Sequence, residues 1–391
     1  MAFTGKATYS AFAAEVAVDV SPIIAVRAPI VTPVLDLIGD AMRPVIAEST
    51  EHTWREDEYA PAFTLICSSA ITSVTAGDVE AHNVDFAPYV QVGDIVQLGS
   101  QDDANGVEHI QIASIAVTVK DGTGATSLYF RRAVFGTSIR SATAGTSLTF
   151  LANASLEGEA QRPDISRVRV TKTNWVQPFV KPVEVSLSMD AVTKYSVGSE
   201  FNFQAQRRMD EALRDLENAC LRGTSGSTIG NGTTYRTIKG LWSWITNTRT
   251  ITEASLDTDF IDDAIESGWL LGRFGGYNLM IAGATVQKLL DRMPDVQRTA
   301  MQDERNITRV VRTYESGLTA GPMRIVVTPN FDPRAFIITH TDDLKIVPLQ
   351  GRSFQFFNYA LTGQTRKGEV AGEYTIEARN AVTMIRGYIV A

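Results

Sequence analysis

Residues 199–223 read SEFNFQAQRRMDEALRDLENACLRG. Ala205, Met209, Ala212, Leu213, Leu216, Ala219 and Cys220 recur at the three-to-four-residue spacing that lines one face of an α-helix. Arg207, Asp210, Glu211, Arg214 and Asp215 fall on the other face. The pattern predicts an amphipathic helix from Glu200 to Leu221. Ser199 is placed to cap its first turn, and Gly223 to end it in the left-handed region. The chain changes character at this helix, so it is the point from which the rest is read.

Upstream, residues 63–187 carry almost no helical periodicity. Strand candidates lie at 62–66, 94–98, 109–119, 127–134 and 147–151, separated by turn signals such as Asn105-Gly106 and Asp121-Gly122. They predict a small, mainly antiparallel β module. The return limb at 168–187 contains Pro178 and Pro182. Proline removes a ladder donor, so this limb reads as a sheet edge or an exposed arm. Residues 1–62 read as an arm. Pro22, Pro29 and Pro33 divide apolar pieces such as Ile23-Ile24 and 34–39. Those pieces are too short to bury themselves and need another surface to lie on. The arm ends in the aromatic and charged run Thr53-Trp54-Arg55-Glu56-Asp57-Glu58-Tyr59.

Downstream, the Gly/Ser/Thr-rich segment 223–234 reads as a flexible loop, and helices then alternate with strands. One helix is expected at 259–270, with Ile261, Ala264, Ile265 and Trp269 inward. A second is expected at 284–293, with Val286, Leu289, Leu290 and Met293 on one side and Pro294 stopping it. Strands are expected at 278–282, 323–328, 335–339 and 344–349. The strand-like stretch 373–391 ends apolar at Tyr388-Ile389-Val390-Ala391, which a sheet should hold. The fold class is therefore α+β.

Composition narrows the function. The chain has 391 residues, 44% of them hydrophobic and 20% charged, enough for two or three folded modules and too apolar for a disordered chain. Lys plus Arg is 36 against 44 for Asp plus Glu, a net charge of −8, which argues against a protein that grips DNA through clustered cations. Cys67 and Cys220 are far apart, and His52, His82, His109 and His340 are scattered. Neither set has the spacing of a zinc site, so no metal or cofactor is expected. The start of the chain makes a poor signal peptide, and the uncharged run 60–77 is too rich in Ser and Thr for a membrane helix. A soluble protein of a reducing compartment is expected, without a membrane partner.

The remaining motifs have plain readings. Gly223, Gly226, Gly230 and Gly232 follow a helix and lack a Gly-Lys-Ser/Thr ending, so a phosphate loop is disfavoured. Asp262 and Asp263 are helix neighbours that point apart, unlike an acid/base pair. Asp102-Asp103 sits at a hairpin tip. Arg131-Arg132 and Arg207-Arg208 read as a solvated face or a subunit salt bridge. Trp54, Trp175, Trp242, Trp244 and Trp269 read as core or interface anchors. Cys220, on the apolar helix face, reads as an inert buried thiol. No Gly-x-Ser-x-Gly elbow occurs, and no constellation supports catalysis.

The order of segments resembles the HK97-fold major capsid proteins of tailed bacteriophages, in their SU10-like branch. Three stretches carry the resemblance. The first runs from Asp19-Val20-Ser21-Pro22 through Thr32-Pro33-Val34-Leu35 to Thr53-Trp54-Arg55-Glu56-Asp57. The second is the helix ending Cys220-Leu221-Arg222-Gly223, with Gly240-Leu241-Trp242 downstream. The third runs from Thr362-Gly363-Gln364 through Gly368-Glu369-Val370 to the segment Gly372-Glu373-Tyr374-Thr375-Ile376-Glu377-Ala378-Arg379-Asn380. The resemblance implies an N-terminal arm at 1–62 and an extended loop carrying a β-rich insertion at 63–187. It then implies a peripheral domain with the spine helix at 188–250, an axial domain at 251–345 and closing strands at 346–391. The insertion is the departure from the family pattern.

The resemblance also implies a non-enzymatic protein that assembles with itself into hexamers and pentamers of an icosahedral or prolate head. That head would enclose double-stranded DNA without reading its sequence. A portal protein, and scaffolding or decoration proteins, would be partners, with assembly in the host cytoplasm and residence in the virion. Trp54, Arg55, Asp57, Arg131, Arg132 and Trp175 are the candidate subunit contacts. Two other readings remain open: an encapsulin-like nanocompartment subunit, and a two-domain enzyme or carbohydrate-binding protein using the β insertion.

Overall fold

The computed structural model describes residues 30–40, 45–57, 64–67, 70–71, 79–85, 90–98, 106–115, 125–155, 157–158, 169–192, 198–230, 233–273, 275–292, 298–300, 310–314, 316, 321–361 and 363–390. The chain divides into two compact units. One comprises Met1–Glu56 with Thr171–Ala391, and the other is Asp57–Val170.

The larger unit is built around a seven-stranded mixed sheet. Its strands run in the order Asn247–Thr252, Ile385–Val390, Ala335–Thr339, Leu279–Ala282, Met323–Val327, Val310–Tyr314 and Arg298–Ala300. The central strands are buried on both faces, so they read as unbroken apolar runs. Leu279, Ile281 and Ile337 face a cluster containing Leu216, Cys220 and Leu221 of the long helix. Met280, Ala282, Phe336 and Ile338 face the other way, onto Ile261, Ala264 and Ile265 of helix Thr258–Leu270 and Val286, Leu289 and Leu290 of helix Ala284–Leu290. Trp269, expected inward, is only half-buried, and Gly268 takes the inward place. A Cβ on Gly268 would meet the Tyr277 hydroxyl at 1.7 Å, so helix and sheet approach too closely for a side chain there. Met293 and Pro294 lie outside the described residues.

The second sheet has four strands. Its axis is the 14-residue strand Thr365–Ala378. Gln177–Ser186 lies along one side, from Gln177 against Tyr374 to Ser186 against Thr365. Gln355–Asn358 and Leu344–Pro348 share the other side. The proline-bearing limb is therefore a sheet edge rather than a free arm. Pro178 and Pro182 have the same parity, so their missing donors lie on one side of the strand, and both are exposed.

The long helix is observed as Glu200–Arg222, 23 residues, with the Ser199 hydroxyl accepting from the Asn202 amide. It does not end as expected. Gly223 has φ −56°, so no left-handed turn is present. Glycine is required there for space: a Cβ would lie 2.4 Å from the Ile238 carbonyl oxygen and 2.5 Å from that of Ala219. Both obstacles are backbone. Gly223→Ala is expected to cost about 1–3 kcal/mol in a urea melt, through displacement of the 238–240 segment. The following segment is not a loop. Gly226–Gly230 and Thr233–Thr237 form an antiparallel hairpin.

Arm residues 34–38 do find a surface, and it belongs to their own chain. Helix Pro33–Asp40 buries Val34, Leu35 and Ile38 in the same cluster as Leu216 and Leu221. Glu51–Glu56 pairs with Val170–Trp175. Residues 1–29 lie outside the described set.

The smaller unit is a closed antiparallel barrel. Strands Thr64–Cys67, Val79–Asp85, Ala125–Arg131, Glu108–Ile115, Asp94–Leu98 and Ser147–Asn153 pair in that order, and the last closes on the first. Val96, Leu98, Ile110, Ile112, Leu128, Phe130 and Leu148 fill the interior. Val79–Asp85 matches no strand candidate from the sequence. Asn105 and Asp121-Gly122 lie outside the described residues; Gly106 has φ +72°, as a tight turn needs.

Candidate assembly surfaces

Two buried carboxylates organise the surfaces that this chain offers. Glu217 sits in the apolar stripe of the long helix with no solvent exposure. Its Oε2 accepts from the Val34 and Leu35 amides at 3.2 and 3.3 Å, the open N-terminus of helix Pro33–Asp40. Its Oε1 accepts from the Thr328 hydroxyl at 2.5 Å and the Asn330 amide at 3.0 Å. Asn330 also donates to the Val31 carbonyl at 3.0 Å. A single side chain thus fixes where the arm leaves the body. Burial, with the Glu217 charge beside it, pushes the Cys220 thiol up to about 12, so this cysteine is inert at neutral pH.

Glu108 does the same for the barrel. Strand alternation turns Glu108, Ile110 and Ile112 inward, together with Leu128, Phe130 and Arg132. Glu108 and Arg132 then meet at zero exposure as a two-pronged ion pair, Nε to Oε1 at 2.7 Å and Nη2 to Oε2 at 2.6 Å. The same carboxylate accepts from the Ala133 amide at 3.0 Å and the Arg140 amide at 2.7 Å, and Arg132 donates to the Arg140 carbonyl. The Thr137 hydroxyl donates to the Val134 carbonyl and accepts from the His109 amide, both at 3.0 Å. The loop from Arg132 to Arg140 is held at both ends and in the middle. Inside it Ala133 has φ 48° and Phe135 φ 57°. A bulky L-residue in this region costs about 1–2 kcal/mol, yet the Phe135 ring is 69% exposed.

A third cluster holds the segment 51–56 within the larger unit. Trp54, buried, lies 5.3 Å from the Trp244 ring and 6.1 Å from His52, and its indole N–H donates to Glu56 at 3.0 Å. Glu377 is buried behind it, 3.6 Å from His52 and 2.6 Å from Arg379. Burial alone would raise its pKa, but the neighbouring His52 and the hydrogen bond from Arg379 outweigh burial and hold the carboxyl below its ordinary value. Among the described residues no group of three or more His, Cys, Asp or Glu is placed to hold a metal ion, and no helix is long and apolar enough to cross a membrane.

The family model of the SU10 major capsid protein matches residues 3–388. This chain belongs to that family. As an SU10 major capsid protein it is a structural component of a phage capsid, not an enzyme, and its place is the virion. The match agrees with the HK97-type α+β reading of the segment order. No curated protein matches the chain. Solved structures with a similar trace include a chain from Mycobacterium phage Bobi, 9% identical, covering 98% of this chain and 99% of that one at a TM-score of 0.45. The capsid of Myoviridae phage XM1 is 9% identical, with 95% and 96% covered and a TM-score of 0.45. The SrpI encapsulin of Synechococcus elongatus is 6% identical, with 56% and 77% covered and a TM-score of 0.42.

The candidate contact residues of this capsid protein differ in their exposure. Trp54 and Arg132 are buried inside their own units, so Arg132 is neither on a solvated face nor open to a neighbouring subunit. Arg131, one residue earlier, points outward and is exposed. Arg55 and Asp57 are exposed, and Asp57 pairs with Arg169 at 3.2 Å. Trp175 is half-buried. Glu217, Glu108 and Phe135 were not among the candidates. The available signal was an acidic residue inside an apolar stripe, which holds for Glu217 between Leu216 and Cys220.

Acid sensitivity follows from a fourth cluster. His340 Nδ1 accepts from the Asp342 amide at 3.3 Å, and Asp343 pairs with Arg273 at 2.8 Å. Burial and the Arg273 charge lower the His340 pKa from 6.5, against Asp342 and Asp343, which raise it. Burial raises that of Asp343, against Arg273, His340 and Asn380. A histidine depressed in the folded state contributes stability above its ordinary pKa that is lost as pH falls through the folded value. Glu377 acts with the same sign at lower pH, and Asp343 with the opposite sign. The denaturation midpoint should therefore fall on acidification below about pH 6.5. His340→Asn keeps an acceptor for the Asp342 amide without titrating and should flatten that slope. An unchanged slope in the variant would exclude His340 as the cause.

Proposed function

We propose that this major capsid protein assembles in the host cytoplasm into hexamers and pentamers that close an icosahedral or prolate head around double-stranded DNA. The observation that carries this reading is the family match over residues 3–388. The net charge of −8 supports it: an acidic wall encloses DNA without gripping it, which leaves the genome free to exit. Head-to-tail contacts that close into rings are the symmetry such a shell needs. In this reading residues 1–62 act as the arm and 63–187 as the extended loop with its inserted barrel. Residues 188–250 form the peripheral domain, 251–345 the axial domain and 346–391 the closing strands. Arg55, Asp57 and Arg131, which are exposed, and Trp175, which is half-buried, serve in this reading as contacts between subunits. A portal protein, and scaffolding or decoration proteins, complete the particle. Electron microscopy of the purified chain tests the proposal: closed shells with six-fold and five-fold capsomers are expected, and a chain that stays monomeric at every concentration would rule it out.

A further inference from the structure

One edge of the seven-stranded sheet has a layer on one side only. Asn247–Thr252 and Ile385–Val390 pair in parallel, with Thr248 beside Arg386, Thr250 beside Tyr388 and Thr252 beside Val390. Helix Thr258–Leu270 covers one face of this pair. Ile385 and Ile389 belong to the apolar cluster under that helix, Ile251 packs against the cluster, and Asn247 donates to the Ser267 hydroxyl at 3.0 Å. The alternate residues make the other face. Thr248, Thr250, Thr252, Tyr388 and Val390 are all exposed there. Parallel strand pairs are usually covered on both faces, so a second layer is missing from this one.

We propose that helix Thr258–Leu270 of a second copy of this chain covers the bare face. This rests on the capsid reading above. Charge complementarity argues for that occupant. The two strands carry two arginines and no acid, whereas the helix carries four acids and no base. Arg249 shares the covered side with Asn247 and Ile251, and Arg386 lies on the bare side. The Arg386 guanidinium stands 5.2 Å from the Trp242 ring centre, with Nε on the Thr248 hydroxyl at 2.8 Å and Nη1 on the Trp242 carbonyl at 2.6 Å. Among the described residues no carboxylate pairs with it. On the helix, Asp259, Asp263, Glu266 and Leu270 are spaced three or four apart along the solvent side, and all are exposed. The three acids have no cation among the described residues. Leu270, 68% exposed, gives the acidic stripe an apolar end, as Tyr388 and Val390 do for the bare face. A single arginine among threonines is too little charge for a nucleic-acid backbone, but it suits a short acidic stripe. Helix and bare face lie on opposite sides of the same strands. Each copy therefore offers its helix to one neighbour and its sheet to the other, the head-to-tail contact that closes rings.

Two pairs of substitutions in the full chain test the contact. Thr250→Glu with Thr252→Glu puts acid on the bare face, and Asp263→Lys with Glu266→Lys puts base on the helix stripe. All four positions are exposed, so the unassembled subunit should melt as the unaltered chain does. Each pair sets like charges against each other across the contact, and the concentration needed for shell formation, followed by light scattering, should rise about tenfold or more. All four substitutions together exchange the charges of the two surfaces and should bring assembly back to within about threefold of the unaltered chain. Two independent effects inside one subunit would add instead of cancelling. The contact is overturned if either pair assembles at the unaltered concentration, or if the fourfold variant is no better than the pairs. Should the lysine pair unfold the subunit, Asp263→Asn with Glu266→Gln removes the charges alone; it should raise the concentration about threefold, and no rise overturns the contact. The capsid reading survives each of these failures, since the unaltered chain still forms shells. It falls, and the contact with it, if the unaltered chain never assembles.

Discussion

Glu217→Ala is expected to be the most damaging single substitution in the larger unit, with a loss of roughly 3–5 kcal/mol in chemical denaturation. Four donors lose their acceptor at once: the backbone amides of Val34 and Leu35, the Thr328 hydroxyl and the Asn330 side chain. The bonds from Val34, Leu35 and Thr328 are buried, so water cannot replace the carboxylate there at low cost. A negative charge also leaves the N-terminus of helix Pro33–Asp40. The effect should be local first, with proteases cutting near 33–40 before the long helix opens. Glu217→Gln should be much milder. Its oxygen can stay on the two backbone amides while its NH₂ donates to Thr328 and Asn330, whose polar groups can rotate to accept. Equal losses for alanine and glutamine would mean that packing, not the acceptor, is what Glu217 supplies.

Arg132→Met is expected to have a comparable effect in the barrel, about 3–5 kcal/mol, because it strands the Glu108 carboxylate without a cation at zero exposure. The loop bonds of Ala133 and Arg140 depend on the same carboxylate, so the strained turn around Phe135 should relax as well. Limited proteolysis should report cleavage confined to 57–170, with the larger unit intact. Adding Glu108→Gln to Arg132→Met removes the stranded charge and keeps one acceptor, so the double variant should recover part of the loss. A single variant that melts like the unaltered chain would show that the ion pair contributes little beyond its own desolvation cost.

The period of the apolar pattern made the long helix legible, because a surface helix must keep one face dry over its whole length. Strands Asp94–Leu98 and Ala335–Thr339 were legible with their ends, since turn residues bound a short β-branched or apolar run. Hairpin 226–237 was not legible. Most of its residues are Gly, Ser or Thr, and backbone pairing rather than an alternating apolar face holds it. The Arg131-Arg132 doublet shows a second limit. Composition treats the two residues as one basic patch, whereas strand alternation sends one to solvent and the other into the barrel. The third limit concerns the arm. Its apolar pieces did need a surface, but nothing in a pattern of four or five residues says whose surface it is; the Glu217 acceptor and the cluster around Leu216 decide it. Gly223 is a fourth case, where the residue was right and its reason was not, since a backbone crossing from distant positions 238–240 is invisible locally.

The barrel's point of attachment has a consequence for how such chains diversify. Glu51–Glu56 and Val170–Trp175 are already zipped together where the module begins and ends, and Asp57 and Arg169 bridge the neck just beyond. A cassette mounted on a closed stem can be lengthened, trimmed or exchanged for foreign sequence while the host's own hydrogen bonding stays complete, so this neck is the natural graft site for display of a guest peptide or for evolutionary acquisition of a new outgrowth.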